Sequence, residues 1–410
     1  MKILLLTQTF YPETAPDIKG LPFAKKLQEK GHSVQVLTGF PNYPGGKLYD
    51  GYRIKFFQKE IINGVEVIRV PLYPSHDSSP VRRTLTYLSF AFSAALLGVF
   101  LIRKADVMHA YQPPATIAIP ALWIKLIRRI PVVYDIQDLW PDTLQSTGMV
   151  NSRWVISLVG VYCRLIYKFI NYFIVLSPGF KKILSKRGVD EHRIEVVYNW
   201  SNDITISGNG TPATELRKVL HENDFVVLYA GNIGKAQALD NVVQSAEILQ
   251  EKDPRIKIAF IGGGVEVDNL KMLMVELQLK NVVFLDRVSF DKIGAIMQSA
   301  DVLLIHLRKD PLFTITIPSK LQTYLRVGKP ILMGAEGDAV DLLKNSGGGL
   351  TCEAENPDDI AEKIMQLSHM PCEERTKMGE RAREYYSGHL DADIGVDKAL
   401  QIFKKAANKK

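Results

Sequence analysis

The stretch KILLLT at residues 2–7 is a short apolar run, typical of a strand that is buried on both faces of a parallel sheet. Residues 23–30 follow with helical periodicity, and Gly31 ends the predicted helix because glycine is favoured just beyond a helix C-terminus. Residues 34–38 form the next apolar run. This order of strand, helix and strand predicts the start of a doubly wound α/β domain.

The composition indicates a globular protein, since 46% of the 410 residues are hydrophobic and 23% are charged. This length predicts two domains. The net charge of +7 favours anionic partners such as phosphate groups or anionic lipid, although a lysine-rich solvated surface explains the same excess. We find no nucleic-acid-binding motif and expect no nucleic-acid partner. The three cysteines lack metal-ligand or disulfide spacing and the N-terminus lacks signal-peptide features, so we expect a cytosolic location.

Further apolar runs extend the α/β pattern in two series. The first series comprises residues 65–70, 107–110, 132–136, 173–176 and 195–198. The second comprises residues 226–230, 256–261, 282–284, 302–306 and 331–333. Residues 201–212 between them are polar and rich in Gly, Asn and Thr, which predicts a linker. We therefore expect an N-terminal domain at 1–200, a C-terminal domain at 201–385 and a helix at 386–410 that returns to the N-terminal domain.

A candidate phosphate-binding segment, YAGNIGKAQ, occupies residues 229–237 after the first strand of the second half. Gly231 and Gly234 allow a ligand to approach the backbone closely, and Lys235 adds positive charge beside Asn232. A following helix is expected to direct its N-terminal amides at the same place. This combination suits a diphosphate, although an ordinary strand–helix turn with a surface lysine has the same sequence pattern.

Two further segments follow strands of the same predicted sheet. The segment IGGGVE contains the candidate ligand-binding residues Gly262, Gly263, Gly264 and Glu266. In TIPSK at residues 316–320, Ser319 is a candidate helix cap and Lys320 lies in the first turn. A cation there opposes the helix dipole unless an anion binds beside it or the lysine bends into solvent. Because ligands bind at the carboxyl ends of strands in open α/β sheets, these segments predict one ligand site.

Two apolar segments of the first half are flanked or interrupted by basic residues. Residues 85–102 are almost uncharged, and their flanking residues are Arg82, Arg83, Arg103 and Lys104. Residues 154–172 are apolar and aromatic. A spanning helix needs ~20 apolar residues, so the first segment is borderline. A helix buried against the sheet explains each segment about as well, but both together favour interfacial helices on an anionic membrane.

The order and spacing of several motifs resemble glycosyltransferase family 4, the retaining enzymes with the GT-B fold. The motifs are GHSV (31–34), DVMH (106–109), GNIGK (231–235), GGGVE (262–266), ADV (300–302) and GKP (328–330). The resemblance implies an α/β GT-B architecture of two Rossmann-like, doubly wound domains that face each other across a cleft. It also implies a nucleotide-sugar donor, with UDP as the expected nucleotide.

A narrower resemblance points to the subgroup that makes O-antigen, capsule or colanic-acid repeats, including N-acetyl-L-fucosamine transferases. It rests on the motifs TGFPNYPGG (38–46), GYR (51–53), DLWP (138–141) and PSK (318–320). This resemblance implies an acceptor saccharide linked to undecaprenyl diphosphate and transfer of an N-acetylated amino sugar such as N-acetyl-L-fucosamine. We expect a peripheral enzyme on the inner face of the cytoplasmic membrane, with the four basic residues around the first apolar segment contacting the acceptor or the membrane.

The candidate catalytic groups stabilise the diphosphate that leaves the donor sugar. Lys235, Lys320 and the amides near Gly231 and Gly234 are expected to act in place of a divalent metal. No Asp-x-Asp motif follows a predicted strand, which favours a mechanism without a metal or other cofactor.

Other candidates lie at the ends of predicted strands. His109 contacts the transferred sugar or is a structural histidine. Asp138 orients a hydroxyl group or caps the next helix. Asp286 and Arg287 follow a strand where family members hold the nucleotide base, or they form a surface ion pair.

The chain departs from the family pattern in the donor segment. Ile315 and Thr323 occupy the positions of the family's glutamate pair, and Asn232 stands where many members have arginine. Two alternatives therefore stay open. The first is a non-catalytic scaffold that binds a nucleotide-sugar, and the second is a GT-B sugar-nucleotide epimerase.

Overall fold

The computed structural model describes residues 1–13, 19–75, 80–146, 150, 152–201, 216 and 220–408. The chain divides into two compact units, of which unit 1 comprises Met1–Asn199 and Ala392–Lys410 and unit 2 comprises Trp200–Asp391. Beyond Ser201, the linker predicted at residues 201–212 lies outside the described residues. The C-terminal helix predicted at 386–410 begins later, at Ala392, because residues up to His389 belong to a helix of unit 2.

Unit 1 contains, among its described residues, an eight-stranded sheet in the order β3-β4-β2-β1-β5-β6-β7-β8. The strands are β1 (Lys2–Leu6), β2 (Ser33–Gly39), β3 (Gln58–Ile62), β4 (Val65–Val70), β5 (Val107–Gln112), β6 (Val132–Ile136), β7 (Tyr172–Val175) and β8 (Ile194–Val196). Neighbouring strands are parallel except β3, which is antiparallel to β4. The sequence analysis missed β3 because this edge strand alternates exposed and half-buried residues.

The helices of unit 1 cover a sheet whose central strands are continuously buried. They are α1 (Leu21–Glu29), α2 (Pro80–Leu101), α3 (Ala118–Arg128), α4 (Asp142–Ser146), α5 (Arg153–Phe169), α6 (Pro178–Lys186) and the C-terminal helix (Ala392–Asn408). Helices α2 and α3 pack against each other, whereas the C-terminal helix packs beside α1 and across β5, β6 and β7. Within the described residues, α2 is the one helix long and apolar enough to cross a membrane, over Val81–Leu101. Small residues such as Ala91 and Ala94 on one side of α2 are nevertheless buried.

Unit 2 contains, in its described part, a six-stranded parallel sheet in the order β11-β10-β9-β12-β13-β14. The strands are β9 (Phe225–Asn232), β10 (Ile256–Gly263), β11 (Val282–Leu285), β12 (Val302–His306), β13 (Ile331–Gly334) and β14 (Gly349–Cys352). The helices are α7 (Leu239–Lys252), α8 (Val267–Glu276), α9 (Phe290–Ser299), α10 (Ser319–Val327), α11 (Asp338–Ser346), α12 (Pro357–His369) and α13 (Cys372–His389). The sequence analysis missed β14, a short and partly exposed edge strand. The two units confirm the predicted pair of Rossmann-like α/β domains.

Each sheet has a point at which the strand order reverses. In unit 1 the chain moves from β1 to β2 on one side and later returns to place β5 on the other side of β1. In unit 2 the same relation holds for β10 and β12 around β9. Loops diverge from such a point and leave a crevice at the carboxyl ends of the strands, which is where open α/β sheets bind ligands.

The C-terminal helix completes the core of unit 1 although it comes from the far end of the described chain. Phe403 is fully buried, and its ring centroid lies 6.5 Å from that of Phe23 and 5.5 Å from that of His109. The helix therefore contributes apolar surface that residues 1–199 do not supply by themselves.

We expect Phe403→Ala to lower the free energy of unfolding of unit 1 by about 3–5 kcal/mol, because the substitution removes a buried aromatic ring and leaves a cavity. Urea unfolding followed by tryptophan fluorescence measures this change, since Trp123, Trp140 and Trp154 all lie in unit 1. Gln401→Ala, at an exposed position of the same helix, is the control. Equal stability of the two variants would contradict the assignment of this helix to the core.

Candidate functional site

The carboxyl edge of the unit 2 sheet is shaped by a close approach between β9 and β10. Gly262 pairs with Gly231, and a Cβ atom on Gly262 would lie 1.9 Å from the carbonyl oxygen of Gly231. Both residues have positive φ, +143° for Gly262 and +139° for Gly231, which side-chain-bearing residues rarely adopt. A Cβ atom on Gly264 would likewise lie 2.1 Å from the carbonyl oxygen of Ile233. Gly262 and Gly264 therefore permit backbone packing at this edge.

Gly231 also leaves room for the side chain of Lys320. A Cβ atom on Gly231 would lie 2.4 Å from Cε of Lys320. The Nζ of Lys320 lies 4.8 Å from the ring centroid of Tyr229, and no described carboxylate pairs with it. Burial lowers the pKa of Lys320 to about 8. A desolvated ammonium group without a counter-ion favours an anionic ligand, which would restore the lost solvation.

A second cation, the guanidinium group of Arg287, lies against the glycine segment of β10. A Cβ atom on Gly263 would lie 2.8 Å from Nε of Arg287, so this glycine makes room for the guanidinium group. Arg287 and Asp286 are both exposed, and they form no ion pair with each other or with other described residues. The structure thus brings Arg287 onto the predicted phosphate-binding edge and does not support the alternative of an Asp–Arg surface pair.

The loop after β9 differs from the prediction in its hydrogen bonding. A 3-10 turn spans Lys235–Gln237, and α7 begins only at Leu239. The amide of Gly234 donates to Oε1 of Gln237 at 3.0 Å, so it is not free to bind a diphosphate as predicted. A Cβ atom on Gly234 would lie 2.8 Å from Nδ2 of Asn232. Lys235 is exposed, and no described residue forms a hydrogen bond or ion pair with its side chain.

Ser319 and Glu266, two of the predicted site residues, lie at the N-terminal ends of helices. Ser319 does not cap α10, because the helix begins at Ser319 itself, with Pro318 at the capping position and no side-chain capping bond. Glu266 precedes α8, its amide donates to the carbonyl oxygen of Ile233 at 3.1 Å, and its carboxylate accepts from Asn269 at 2.9 Å. These contacts close the loop next to the glycine segment.

Residues that the sequence analysis missed hold this edge in place. The hydroxyl of Tyr324 accepts from the amide of Ala230 at 3.0 Å and donates to its carbonyl oxygen at 3.2 Å. His306 accepts from the amide of Glu355 through Nε2 at 3.1 Å, so Nδ1 carries the proton and donates to the carbonyl oxygen of Gln237 at 2.7 Å. Burial lowers the pKa of His306, which keeps the ring neutral. The position of His306 at the end of β12 was an available signal, whereas Tyr324 lies within α10 and gave none.

In unit 1, His109 belongs to a buried charged cluster. His109 is 1% exposed, its Nε2 lies 2.9 Å from Oδ2 of Asp135, and Lys19 donates to the same oxygen at 2.7 Å. Burial alone would raise the pKa of Asp135, but Lys19 and His109 lower it overall. Because the ring of Phe403 also packs against His109, this environment matches the structural alternative rather than contact with a sugar.

Asp138 lies in a pocket at the switch point of unit 1. The pocket has a volume of about 330 Å³ and is also lined by Arg83. Asp138 caps no helix, since α4 begins four residues later at Asp142 and no described amide donates to the Asp138 carboxylate. The remaining basic candidates lie outside the pocket lining: Arg82 and Lys104 are exposed, and Arg103 pairs with Glu66 at 3.1 Å.

Glu13, another residue that the sequence analysis missed, shapes this pocket. Its carboxylate accepts from the amides of Phe10 at 2.9 Å and of Asn42 and Tyr43 at 2.8 Å each. Burial raises the pKa of Glu13, and the three amides oppose that shift. Glu13 thereby joins the loop after β1 to the loop after β2, both of which contribute to the pocket.

Within the described ranges, no group of three or more His, Cys, Asp and Glu side chains is arranged to hold a metal ion. The polar groups at the two strand edges are instead single charges, amides and hydroxyls.

Two family descriptions match the chain, one for each half. "Glycosyl transferase 4-like domain" matches residues 21–200, and "Glycosyl transferases group 1" matches residues 213–385. The chain is a glycosyltransferase with the GT-B fold. The family matches thus agree with the two α/β units and with the glycine-rich edge of unit 2.

Curated relatives and solved structures resemble this glycosyltransferase over most of its length. The putative colanic acid biosynthesis glycosyl transferase WcaI of Escherichia coli K12 is 26% identical, over 96% of this chain and 97% of the relative. The probable glycosyltransferase WbjE of Pseudomonas aeruginosa is 22% identical, over 73% and 77%. The crystal structure of Anabaena Alr3699/HepE in complex with UDP and glucose has a TM-score of 0.68 at 17% identity, covering 100% and 99% of the two chains.

The two positions at which the sequence departs from the family's glutamate pair, Ile315 and Thr323, have local contacts in the structure. The hydroxyl of Thr323 donates to the carbonyl oxygen of Ser319 at 3.3 Å and accepts from Ser201 at 3.3 Å. Ile315 ends a short 3-10 turn at Phe313–Ile315. No carboxylate is therefore available at these two positions to bind the hydroxyl groups of a ligand.

If this edge binds a nucleoside diphosphate such as UDP, its affinity should fall as the pH rises above about 8. The folded-state pKa of Lys320, about 8, is below its ordinary value of 10.5, so an ammonium that could attract the diphosphate is present below pH 8 and is lost above it. The last phosphate ionisation is complete well below this range. Calorimetric titrations at pH 7–10 should show up to about a tenfold loss per pH unit above 8.

Lys320→Arg is the matched control, because the guanidinium stays charged throughout this range. An equally steep loss in Lys320→Arg would exclude Lys320 as the titrating group.

Proposed function

We propose that this glycosyltransferase moves a sugar from a UDP-sugar to a saccharide linked to undecaprenyl diphosphate during synthesis of a surface polysaccharide. The proposal rests mainly on one observation, the partly buried and desolvated ammonium of Lys320, which lies against Gly231 at the switch point of unit 2 without a described ion-pair partner. One relative supports a role in the synthesis of a surface polysaccharide, since WcaI is described as a colanic acid biosynthesis glycosyl transferase. UDP as the nucleotide is supported by HepE, solved with UDP and with UDP-glucose.

The diphosphate of the donor is assigned to the carboxyl edge of the unit 2 sheet. Lys320 supplies the desolvated charge, and Arg287 and Lys235 supply two exposed charges on the neighbouring glycine segments. Fixed charges of this kind are worth more at a desolvated site than in water. They compensate the negative charge that develops on the diphosphate as the glycosidic bond breaks.

The mechanism proceeds with retention of configuration and without a metal ion. The bond between the sugar and the diphosphate breaks, and the acceptor hydroxyl forms the new bond on the same face of the sugar. The departing phosphate takes the proton of that hydroxyl. The enzyme's task is therefore to hold the diphosphate and the acceptor, and no protein nucleophile is needed.

The transferred sugar is assigned to the N-acetylated amino sugars, with N-acetyl-L-fucosamine as the first candidate. The support is the set of motifs at residues 38–46, 51–53, 138–141 and 318–320, together with relatives of the colanic acid type. A panel of UDP-sugars tested with a lipid-linked acceptor ending in N-acetylglucosamine identifies the donor directly.

Lys320→Ala should abolish most of the thermal stabilisation by UDP and lower kcat/KM about 100-fold, because it removes a fixed charge from the leaving group. Lys280→Ala is the control, since Lys280 is an exposed lysine before β11, at the amino end of the same sheet. Wild-type UDP affinity in Lys320→Ala would refute the donor site. UDP binding without transfer from any donor in the panel would favour the non-catalytic scaffold.

The proposed membrane contact is an apolar surface formed by α2, α3 and α5, which we call the three-helix face. The most exposed apolar side chains on these helices include Phe100 (84%), Leu126 (71%) and Trp154 (74%). The helices adjoin, since Arg128 of α3 donates to the carbonyl oxygen of Val99 in α2 and Lys125 of α3 donates to the carbonyl oxygen of Phe169 in α5.

The charge of the three-helix face matches an anionic bilayer. The basic residues of its helices are Arg82, Arg83, Lys125, Arg128, Arg153, Arg164 and Lys168, and none of the three helices contains an aspartate or glutamate. An apolar surface bordered by cations binds the interface of an anionic membrane. We therefore propose a peripheral location on the inner face of the cytoplasmic membrane.

The double variant Phe100→Asp/Leu126→Asp should lose most of its binding to phosphatidylglycerol vesicles, because it places two anions on the three-helix face. Co-sedimentation with vesicles measures the bound fraction, and phosphatidylcholine vesicles show the dependence on lipid charge. Met272→Asp/Val275→Asp, on a similarly exposed surface of unit 2, is the matched control. Equal losses in the two double variants, or no loss in the first, would exclude the three-helix face as the membrane contact.

A further inference from the structure

One edge of the unit 1 sheet is open in the described part of the chain. β3 pairs with β4 on one side only, and apart from that ladder no described backbone hydrogen bond reaches residues 53–62, which we call the β3 edge. In an antiparallel strand about half of the N–H and C=O groups point away from the paired neighbour. Such an edge is a template for an additional strand.

Two large apolar side chains are exposed along the β3 edge. Ile61 of β3 is 77% exposed, and Phe56 in the segment that leads into β3 is 72% exposed. Single exposed apolar residues are common on protein surfaces and need no explanation. Here they accompany unpaired backbone groups, and the combination favours association with another extended chain.

Lys59 and Ile61 project from the face of the sheet on which α2 packs. Lys59 lies opposite Ile68 of β4, and Ile68 lies beside Leu37 of β2. Leu37 faces α2, because a Cβ atom on Gly98 would lie 2.7 Å from its Cδ2 atom. The helix packs over β2 and β4 and leaves Lys59 and Ile61 exposed, so a strand beside β3 has free space on this face.

A groove lies beside the C-terminal end of β3. Its volume is about 500 Å³, and its lining includes Ile61, Val34 of β2 and Gln28 of α1. The groove offers space for a side chain of a segment that lies along β3.

The free charge of the β3 edge is positive. Three exposed cations have no described ion pair or side-chain hydrogen bond, namely Arg53, Lys55 and Lys59. The neighbouring carboxylates of Glu60 and Glu66 each already pair with an arginine. A second copy of this chain would bring the same three cations against these, and like charges across strands are destabilising. An acidic partner is attracted instead.

An anionic bilayer would also attract these cations, but it suits the edge less well. The hydrocarbon region of a membrane cannot supply hydrogen bonds to the unpaired N–H and C=O groups of an edge strand. An extended peptide chain satisfies those backbone groups and the free cations together.

We propose that the β3 edge docks an extended, acidic segment of another protein, which adds to the unit 1 sheet as a further strand. The segment brings a carboxylate opposite Lys59 and an apolar side chain opposite Ile61. This surface uses none of the residues assigned to the donor site or to the three-helix face.

The probe is a fluorescently labelled, acetylated peptide of sequence TVTETVTE, and fluorescence anisotropy measures its binding to the full-length protein. The peptide TVTKTVTK reverses the charge. Two further versions of the acidic peptide carry N-methyl groups on either the odd or the even backbone amides. An added strand turns one edge to the protein and the other to solvent, so only one methylated version should lose binding.

The edge variants are Lys59→Glu and Ile61→Asp, and Lys182→Glu is the control, which reverses an exposed charge of α6. Lys59→Glu should weaken binding of the acidic peptide about tenfold and make the lysine peptide the better ligand. Ile61→Asp should weaken binding of the acidic peptide, and Lys182→Glu should leave it unchanged. Circular dichroism and thermal melting show whether each variant is folded.

No binding of the acidic peptide at about 1 mM would overturn the proposal. Binding that both methylated versions retain would also overturn it, since charge alone would then hold the peptide. Phosphatidylglycerol vesicles that bind through Lys59 and Ile61 while the peptide does not would assign the edge to the membrane. A dimer in analytical ultracentrifugation that Ile61→Asp dissociates would assign it to a second copy, which equally contradicts an acidic partner.

Discussion

A parallel sheet must be covered on both faces, and the architecture of each unit follows from that requirement. The central strands are continuously buried, and the connections between parallel strands return through helices that pack on the sheet, except the connection from β2 to β4, which runs through β3. Strands then end together at one edge, and loops separate where the strand order reverses. The glycine-rich edge of unit 2 and the pocket of unit 1 occupy this same position in their sheets, although different sets of side chains line them.

The buried charges of the protein fall into two kinds that differ in their partners. In the first kind, Asp135 is compensated by Lys19 and His109 within the core, so the cluster needs nothing from outside. In the second kind, Lys320 is desolvated without a described counter-ion. Because an unpaired charge of this kind costs folding free energy, its retention is best explained by a ligand that supplies the missing interaction.

The sequence analysis located the strands of both cores and the glycine segments, because apolar runs and clustered glycines are local signals. Tertiary contacts give other residues packing or hydrogen-bonding roles that the sequence does not show. Gly262 and Gly264 are explained by backbone packing, the amide of Gly234 is already bound by Gln237, and Ser319 begins a helix that it does not cap. The pocket of unit 1 could not be predicted, since Gln8 after β1, Asn42 after β2 and Arg83 in α2 come from separate segments that only the folded sheet brings together.

The C-terminal helix makes unit 2 an insertion within unit 1, since unit 1 is formed from residues on both sides of Trp200–Asp391. During synthesis from the N-terminus, residues 1–199 emerge first, yet their core still lacks Phe403. Unit 2, whose residues are contiguous, is complete before that ring leaves the ribosome. The unit made first is therefore the one finished last, and its apolar helices stay incompletely supported for the time that the ribosome needs to translate about two hundred further codons.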